Sequence, residues 1–452
     1  MRRAGNRLVT VLAATALAAA AAGPALACDL SPAAVDANRA QAVRAYIPAW
    51  QNAGPITGRA EQCSNGRIRD YLCKNVELLS FTPQSQLGGG SSAGPVWPWT
   101  DPETKKQYVV FCRDNGVSFV NVDDPLKPVY LGNLPANAQA SIWCDVRVYR
   151  NLAYVGKDVS TGNGIQIFDL TRLRGVTAPQ TFKHDVVWSQ GFSKVHTIWI
   201  DEKTATMYLS GGELCGKRVA VVSLASPLAP KQVGCAGTTT YSHEIALDND
   251  YRGPDSRYHG RQIAYNFTGF GKRFEIIDIT DKASPKVLGG ATYPEANFPH
   301  QGFPTGDGKY LHMNDELVSN AGGSRTYIWD IQKLDAPRLV GIDRTSRGEF
   351  TPHNGYTVGD RHIQASYNGG LRILSTAGAA GARAEELGYL DVAPRTNASG
   401  FESVIFAAPY LKNNVIAVSS MGVGLFLVRA TGAAAVTPGS AGPAAIHPVP
   451  AT

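Results

Sequence analysis

The chain has 452 residues, 18% of them charged, with a formal net charge of +6, 47 glycines and 27 prolines. So mild a charge, without a basic run, excludes nucleic acid as the expected partner. Low charge and abundant turn-formers point instead to many short strands, in a chain long enough for one large domain or two to three ordinary ones.

Residues 1–27 read as a signal peptide. Arg2, Arg3 and Arg7 form a positive n-region, Leu8 to Ala22 an uncharged apolar stretch, and Ala25-Leu26-Ala27 a small-x-small cleavage site. The apolar stretch is short for a membrane span, and Gly23-Pro24 interrupts it. Cleavage removes three arginines, leaves a net charge of +3 and makes Cys28 the new N-terminus. A secreted, periplasmic or cell-surface protein is expected. A lipoprotein anchored through Cys28 is the secondary reading, because Ala25 stands where such signals usually carry Leu. No later segment has about 18 uninterrupted apolar residues, so no transmembrane helix is expected in the mature chain. Residues 28–74 read as an N-terminal extension with one short helix-period stretch, Ala33 to Tyr46.

From residue 75 one pattern recurs: an apolar strand ending in a polar residue, a Pro-containing turn, then a second short strand. The copies are Gly116 to Val122 with Pro128 to Gly132, Gly164 to Asp169 with Pro179 to Phe182, and Arg218 to Ser223 with Pro230 to Gly234. They continue as Arg273 to Asp278 with Pro285 to Gly289, Arg325 to Asp330 with Pro337 to Gly341, and Gly370 to Leu374 with Leu387 to Leu390. Gly424 to Val428 is the seventh and has no partner. Two more strand-like runs precede each copy, as Asp145 to Tyr149 and Leu152 to Val155 do. Four short strands per unit of roughly 50 residues describe a propeller blade, so an all-β, seven-bladed β-propeller is predicted over 75–429. The spare run Asn75 to Ser80 is predicted to supply the missing outer strand of blade seven, closing the ring and removing exposed sheet edges. Residues 430–452, rich in Ala, Pro, Gly, Ser and Thr, read as a disordered tail.

The strand–Asp–Pro blocks resemble LVIVD repeats, and the span from Cys63 to Arg429 resembles the exported choice-of-anchor B family. The matching stretches are Val76 to Phe81, Phe168 to Gly175, Gly253 to Tyr258, His300 to Gly302, Asn314 to Leu317 and Arg325 to Asp330. The resemblance implies export and a propeller-like repeat domain, and it implies no established reaction. It departs at the C-terminus, where the family's variable surface anchor has no counterpart in the Ala/Pro-rich tail.

Aligning the units on their first strand places Pro95, Asp145, His196, His243, His300, His353 and Glu402 at one register, with spacings of 50, 51, 47, 57, 53 and 49 residues. First strands line the channel of a propeller, so these side chains are expected to converge near one mouth. His196, His243, His300 and His353 with Asp145 or Glu402 would suit Zn, Mn, Fe, Cu or Ni, or a small anion. Glu244, Gln301 and Asn354 adjoin ring histidines and could orient them. The plain alternative is a ring of polar groups bonded to one another and to trapped water. His184 and Asp185 in the loop entering blade three, Asp315, Glu316 and Arg325 in blade five, and Tyr367 and Arg372 in blade six are expected to rim the same mouth, where an arginine could grip a carboxylate.

Seven cysteines remain after cleavage, which in an exported chain read as disulfides with Cys28 left over. Strand-end geometry pairs Cys215 with Cys235 and Cys63 with Cys73. Cys112 with Cys144 is the third pair, with metal ligation beside Asp145 as its alternative. No nucleophile elbow, His-Glu-x-x-His or phosphate-binding loop is found. The leading expectation is a binding protein with a central His/carboxylate site, taking a small ligand or an extracellular protein partner. The alternatives are a metal-dependent extracellular lyase or oxidase using the same ring, and a structural interaction scaffold.

Overall fold

Three of the four strands in a propeller blade are covered on both faces by neighbouring blades, so they read as unbroken buried runs rather than alternating ones. Gln107–Arg113, Thr206–Ser210 and Phe274–Asp278 are buried along their whole length, whereas the outer strand Lys231–Ala236 is mostly exposed or half-buried. The computed structural model describes residues 54–159, 164–238, 241–393 and 399–436. Residues 1–27, read above as a signal peptide, Cys28, the helix-period stretch at 33–46 and most of the tail lie outside the described residues.

The strands form seven sheets, one per blade, and the chain is a seven-bladed β-propeller. Its innermost strands are Ala93–Thr100, Cys144–Tyr149, Thr197–Asp201, Glu244–Asp248, Pro299–Pro304, Gly355–Val358 and Val404–Ala408. Each blade runs outward by antiparallel pairing, as Thr197–Asp201 to Thr206–Ser210 to Val219–Ser223 to Lys231–Ala236 does in blade three. The glycine that ends several repeats has a steric reason. It lies at a register shift between the third and fourth strands, where the next blade's backbone comes close. A Cβ at Gly234 would stand 1.9 Å from the Lys282 carbonyl, and one at Gly289 2.6 Å from that of Leu334.

The ring closes as the repeat count predicts. Val76–Pro83 pairs with Gly424–Ala430, from Val76 opposite Ala430 to Pro83 opposite Gly424, and is buried throughout. The preceding residues are less separate than a mere extension. Tyr71–Lys74 adds a strand to the outer edge of blade six, pairing with Glu386–Asp391, and Glu61–Gln62 adds one to blade seven. The Cys63–Cys73 disulfide joins these two segments across the blade boundary. Disulfides also form between Cys112 and Cys144, from blade one to blade two, and between Cys215 and Cys235 within blade three.

Two boundaries differ from expectation. The outer strand of blade two is Val186–Trp188, not the stretch at Pro179. Gln180–Thr181 instead runs parallel to Gly132–Asn133 at the edge of blade one, because the adjacent Phe182 packs against Phe119 and Phe168 between the two blades. The ordered domain also continues past 430: Gly432–Ala434 forms a turn, and Ala434 is fully buried beside Gly388. Among the described residues no helix is long and apolar enough to cross a membrane.

Candidate metal centre

A histidine stands at or just before the start of the inner strand in each of blades three to six, and rotational repetition stacks these rings side by side. His196 and His243 have ring centroids 4.4 Å apart, His243 and His300 4.4 Å, and His300 and His353 4.3 Å. All four are buried. Tyr367 extends the arc, 4.6 Å from His353.

The carboxylate comes from a different strand. Glu316 follows Tyr310–Asp315, the second strand of blade five, and is buried against the arc. One oxygen stands 3.7 Å from His300 Nε2; the other is 3.7 Å from His353 Nε2 and accepts a 2.8 Å hydrogen bond from the Tyr367 hydroxyl. These His–Glu separations are too long for hydrogen bonds but suit a bridging ion with bonds of about 2 Å to each side. One ligand atom each from His243, His300 and Glu316 lie within 4.8 Å of one another. Neither nitrogen of His300, nor Nε2 of His243, has a hydrogen-bond partner. Buried polar atoms are rarely left so, and these nitrogens are available to a ligand.

Neighbours fix the flanking rings. His353 Nδ1–H donates to the Ile405 carbonyl at 2.7 Å, so its Nε2 lone pair faces the Glu316 side. His196 Nδ1 bonds Asp158 at 3.0 Å, and Lys194 pairs with the other Asp158 oxygen at 3.0 Å. Against the effect of burial, His196 and Lys194 hold the Asp158 carboxyl below its ordinary range. Such carboxylate–imidazole and carbonyl–imidazole pairs set tautomer and orientation in metal sites. Burial, followed by the neighbouring imidazoles, pushes His243 and His300 well below the ordinary histidine range, which keeps both in the neutral ligand form. A cavity of about 30 Å³ borders the four imidazoles, with room for an ion and a water or two.

Below this mouth the channel is filled. Asp145 binds Arg147, and its oxygens also accept from the N–H groups of Val146 and Ile198. The Arg147 guanidinium lies 4.2 Å from the Trp97 ring centre, with Trp199 and Phe406 also around it. Burial raises the neighbouring Glu244 carboxyl to about 8.

Neither carboxylate expected beside the histidines stands in the three-residue group: Asp145 is committed to Arg147 and backbone amides, and Glu402 accepts from Asn368 at 3.1 Å, whereas Glu316, expected only at the rim, lies in that group. Of the other rim residues, Tyr367 belongs to the site. Its φ of 40° places an aromatic residue in the left-handed region, a strain that surrounding contacts must hold. Asp315 is structural: it accepts from the Tyr293 hydroxyl and from the N–H groups of Asn297, Phe298, Leu317 and Val318, fixing the loop that aims Glu316. Arg325 pairs with Glu295. Arg372 is spent on Glu386 and Gln364 within blade six. His184 and Asp185 do not reach the mouth, because the detour to blade one leaves them at the outer strand of blade two, bonded to Gln166 and Arg172. Cys112 and Cys144 are bonded to each other, not to a metal.

Asp158 was not visible as a site residue from the first-strand register. Aligning on the residue after each second strand would have found it, since Asp158 follows Leu152–Lys157 as Glu316 follows Tyr310–Asp315.

No family model matches the chain, and no curated protein matches it. Among solved structures it is similar to the Cps50 (Swd1) β-propeller domain of Myceliophteria thermophila, at 10% identity and a TM-score of 0.49, covering 76% of this chain and 98% of that one. It is also similar to a computationally designed protein, Ika8, at 9% identity and a TM-score of 0.47, covering 79% and 93%. A third likeness is to the periplasmic gluconolactonase of Pseudomonas aeruginosa, at 12% identity and a TM-score of 0.49, covering 66% and 85%. None of these likenesses bears on activity or ligand.

Proposed function

We propose that this protein is an exported LVIVD-repeat propeller of the choice-of-anchor B kind that binds one divalent transition metal at its channel mouth, through His243, His300 and Glu316 with His353 alongside. One observation carries the reading: buried imidazole nitrogens of His243 and His300 without hydrogen-bond partners face a buried carboxylate across gaps an ion would bridge. Three disulfides support an oxidising, extracytoplasmic location. The ligand set of imidazole and carboxylate suits Zn, Mn, Fe, Cu or Ni. A second reading, a metal-dependent enzyme such as a lyase or oxidase, draws on the count of three donors, which leaves a coordination position open to water or substrate.

The test is metal content of protein purified without a metal-binding tag, followed by titration of chelator-treated protein with each candidate ion. One equivalent is expected to bind. Replacing His243 and His300 together by Ala should abolish binding while unfolding stays cooperative. Tyr367→Phe, which removes the hydrogen bond to Glu316, should weaken affinity by roughly 10- to 100-fold. Failure of every ion to bind, or undiminished binding in the double variant, would overturn the assignment.

A further inference from the structure

Where the inner strands of blades three and four end, four polar side chains meet on one carboxamide. Gln262, which leads into the second strand of blade four, Ile263–Phe267, is buried. Lys282, in the turn between Phe274–Asp278 and Lys286–Ala291 of the same blade, sets its side-chain nitrogen against Gln262 Oε1. The Tyr208 hydroxyl donates to the same oxygen at 2.9 Å. Gln262 Nε2 donates to Asp201 at 2.7 Å and to Asn249 Oδ1 at 2.6 Å. Tyr208 and Asp201 are buried. We propose that Lys282 and Gln262 join in an intramolecular isopeptide bond made by the folded chain itself.

Each part of an acyl transfer has its residue here. Lys282 Nζ, as the neutral amine, attacks Gln262 Cδ. The Tyr208 hydroxyl sits on the oxygen that gains negative charge in the tetrahedral intermediate. The Asp201 carboxylate touches the nitrogen that leaves; it takes the proton that Nζ sheds and passes it to Nε2. The Nζ–Cδ bond forms, the Cδ–Nε2 bond breaks and ammonia departs, with no oxidant or cofactor required. Burial lowers the Lys282 ammonium below the ordinary lysine range, against the pull of Asp201, Asp278 and Asp281, which raises the share of neutral amine. An amide is a poor electrophile, so the rate has to come from fixed proximity. The fold fixes both partners. Ile279 N–H donates to the Gln262 carbonyl at 2.9 Å, Gln262 N–H to the Thr280 hydroxyl at 3.0 Å, and Lys282 Nζ to the Ile279 carbonyl at 2.8 Å. Asp201 is held by the Lys203 N–H at 3.0 Å and by the Thr204 hydroxyl. The buried Lys157 lacks such a partner set, since its nitrogen meets the backbone carbonyls of Arg113, Asp114 and Ser141. The product closes residues 262–282 into a loop, constraining the unfolded chain as a disulfide does while surviving reduction.

Mass spectrometry of the full mature protein, reduced and denatured, is the test. The chain should weigh less than its sequence requires by one ammonia. Tryptic digestion should return a branched peptide in which residues 262–272 are joined to 274–286, because a linked Lys282 is no longer a cleavage site. Lys282→Met should restore the sequence mass and release 262–272 alone. Asp201→Asn, which keeps the shape but cannot carry the proton, should slow linkage about a hundredfold, leaving freshly purified protein largely unlinked. Circular dichroism shows whether each variant has folded, and the wild-type digest decides the matter without them. Free 262–272 and 274–282 peptides from wild-type protein of full sequence mass would overturn the proposal. Complete linkage in folded Asp201→Asn would overturn the mechanism.

Discussion

His312 and His362 face each other between the second strands of blades five and six, with ring centroids 5.4 Å apart, and both are buried. Neither nitrogen of His312 has a hydrogen-bond partner, and burial pushes it down to about 4 from an ordinary 6.5. In the unfolded chain His312 protonates near 6.5, while in the folded protein it stays neutral until about 4. The unfolded state therefore binds more protons between those values. Stability is full above about 6.5, falls as pH drops to about 4 and is level below. For His312 alone the loss is on the order of 3 kcal/mol. His243, His300 and His362 shift in the same direction. Urea unfolding from pH 7.5 to 4.5 should show this acid limb, and His312→Phe should flatten it in part; an unchanged slope in the variant would refute the account. This pair was not legible in the sequence, because its residues lie on second strands while only the first-strand register was compared. That register did find the four mouth histidines, since rotational repetition turns equal strand positions into neighbours. It could not find Glu316 as their carboxylate, which comes from a strand exit, nor see that Asp145 would be neutralised by Arg147 two residues along its own strand.

At the scale of elements, closure rests on one strand drawn from the other end of the chain. Phe81 in Val76–Pro83 is fully buried and stacks on Phe426 of Gly424–Ala430 with ring centroids 4.5 Å apart. Phe81→Ala should cost about 3–5 kcal/mol through lost burial and the cavity left behind. Val129→Ala, at an outer-strand position 51% exposed, should change stability by less than about 0.5 kcal/mol. Denaturant midpoints of both variants test the contrast, and equal effects would mean that the clasp does not hold the ring. This element was legible because a repeat that lacks a strand at one end and has a spare one at the other has a single economical solution. The outer strand of blade two was not, because Pro179 to Phe182 copies the local pattern of the other units while Phe182 finds its pocket between blades one and two. Local pattern specifies a strand but not its partner, which packing between distant residues decides.

Across the whole molecule, the axis of the ring is where seven blades must meet without leaving a water-filled bore. Trp97, Trp199, Phe303, Tyr356 and Phe406 close it by mutual ring contacts, with Arg147 among them. A guanidinium so placed needs a counter-charge, and Asp145 supplies it from the same strand. Burial, with Asp145 nearby, raises the Glu244 carboxyl to about 8, so beside Asp145 it carries little of that counter-charge at neutral pH. The pair is thus a desolvated ion pair whose members depend on each other more than the fold depends on the pair. Arg147→Leu alone leaves a buried carboxylate without its cation and should cost about 3–5 kcal/mol, whereas Asp145→Leu with Arg147→Leu removes both charges and should recover much of that loss. A double-mutant cycle from urea unfolding measures the coupling. If the double variant is as unstable as the sum of the singles, the two residues act separately, and the channel is closed by its aromatic rings alone.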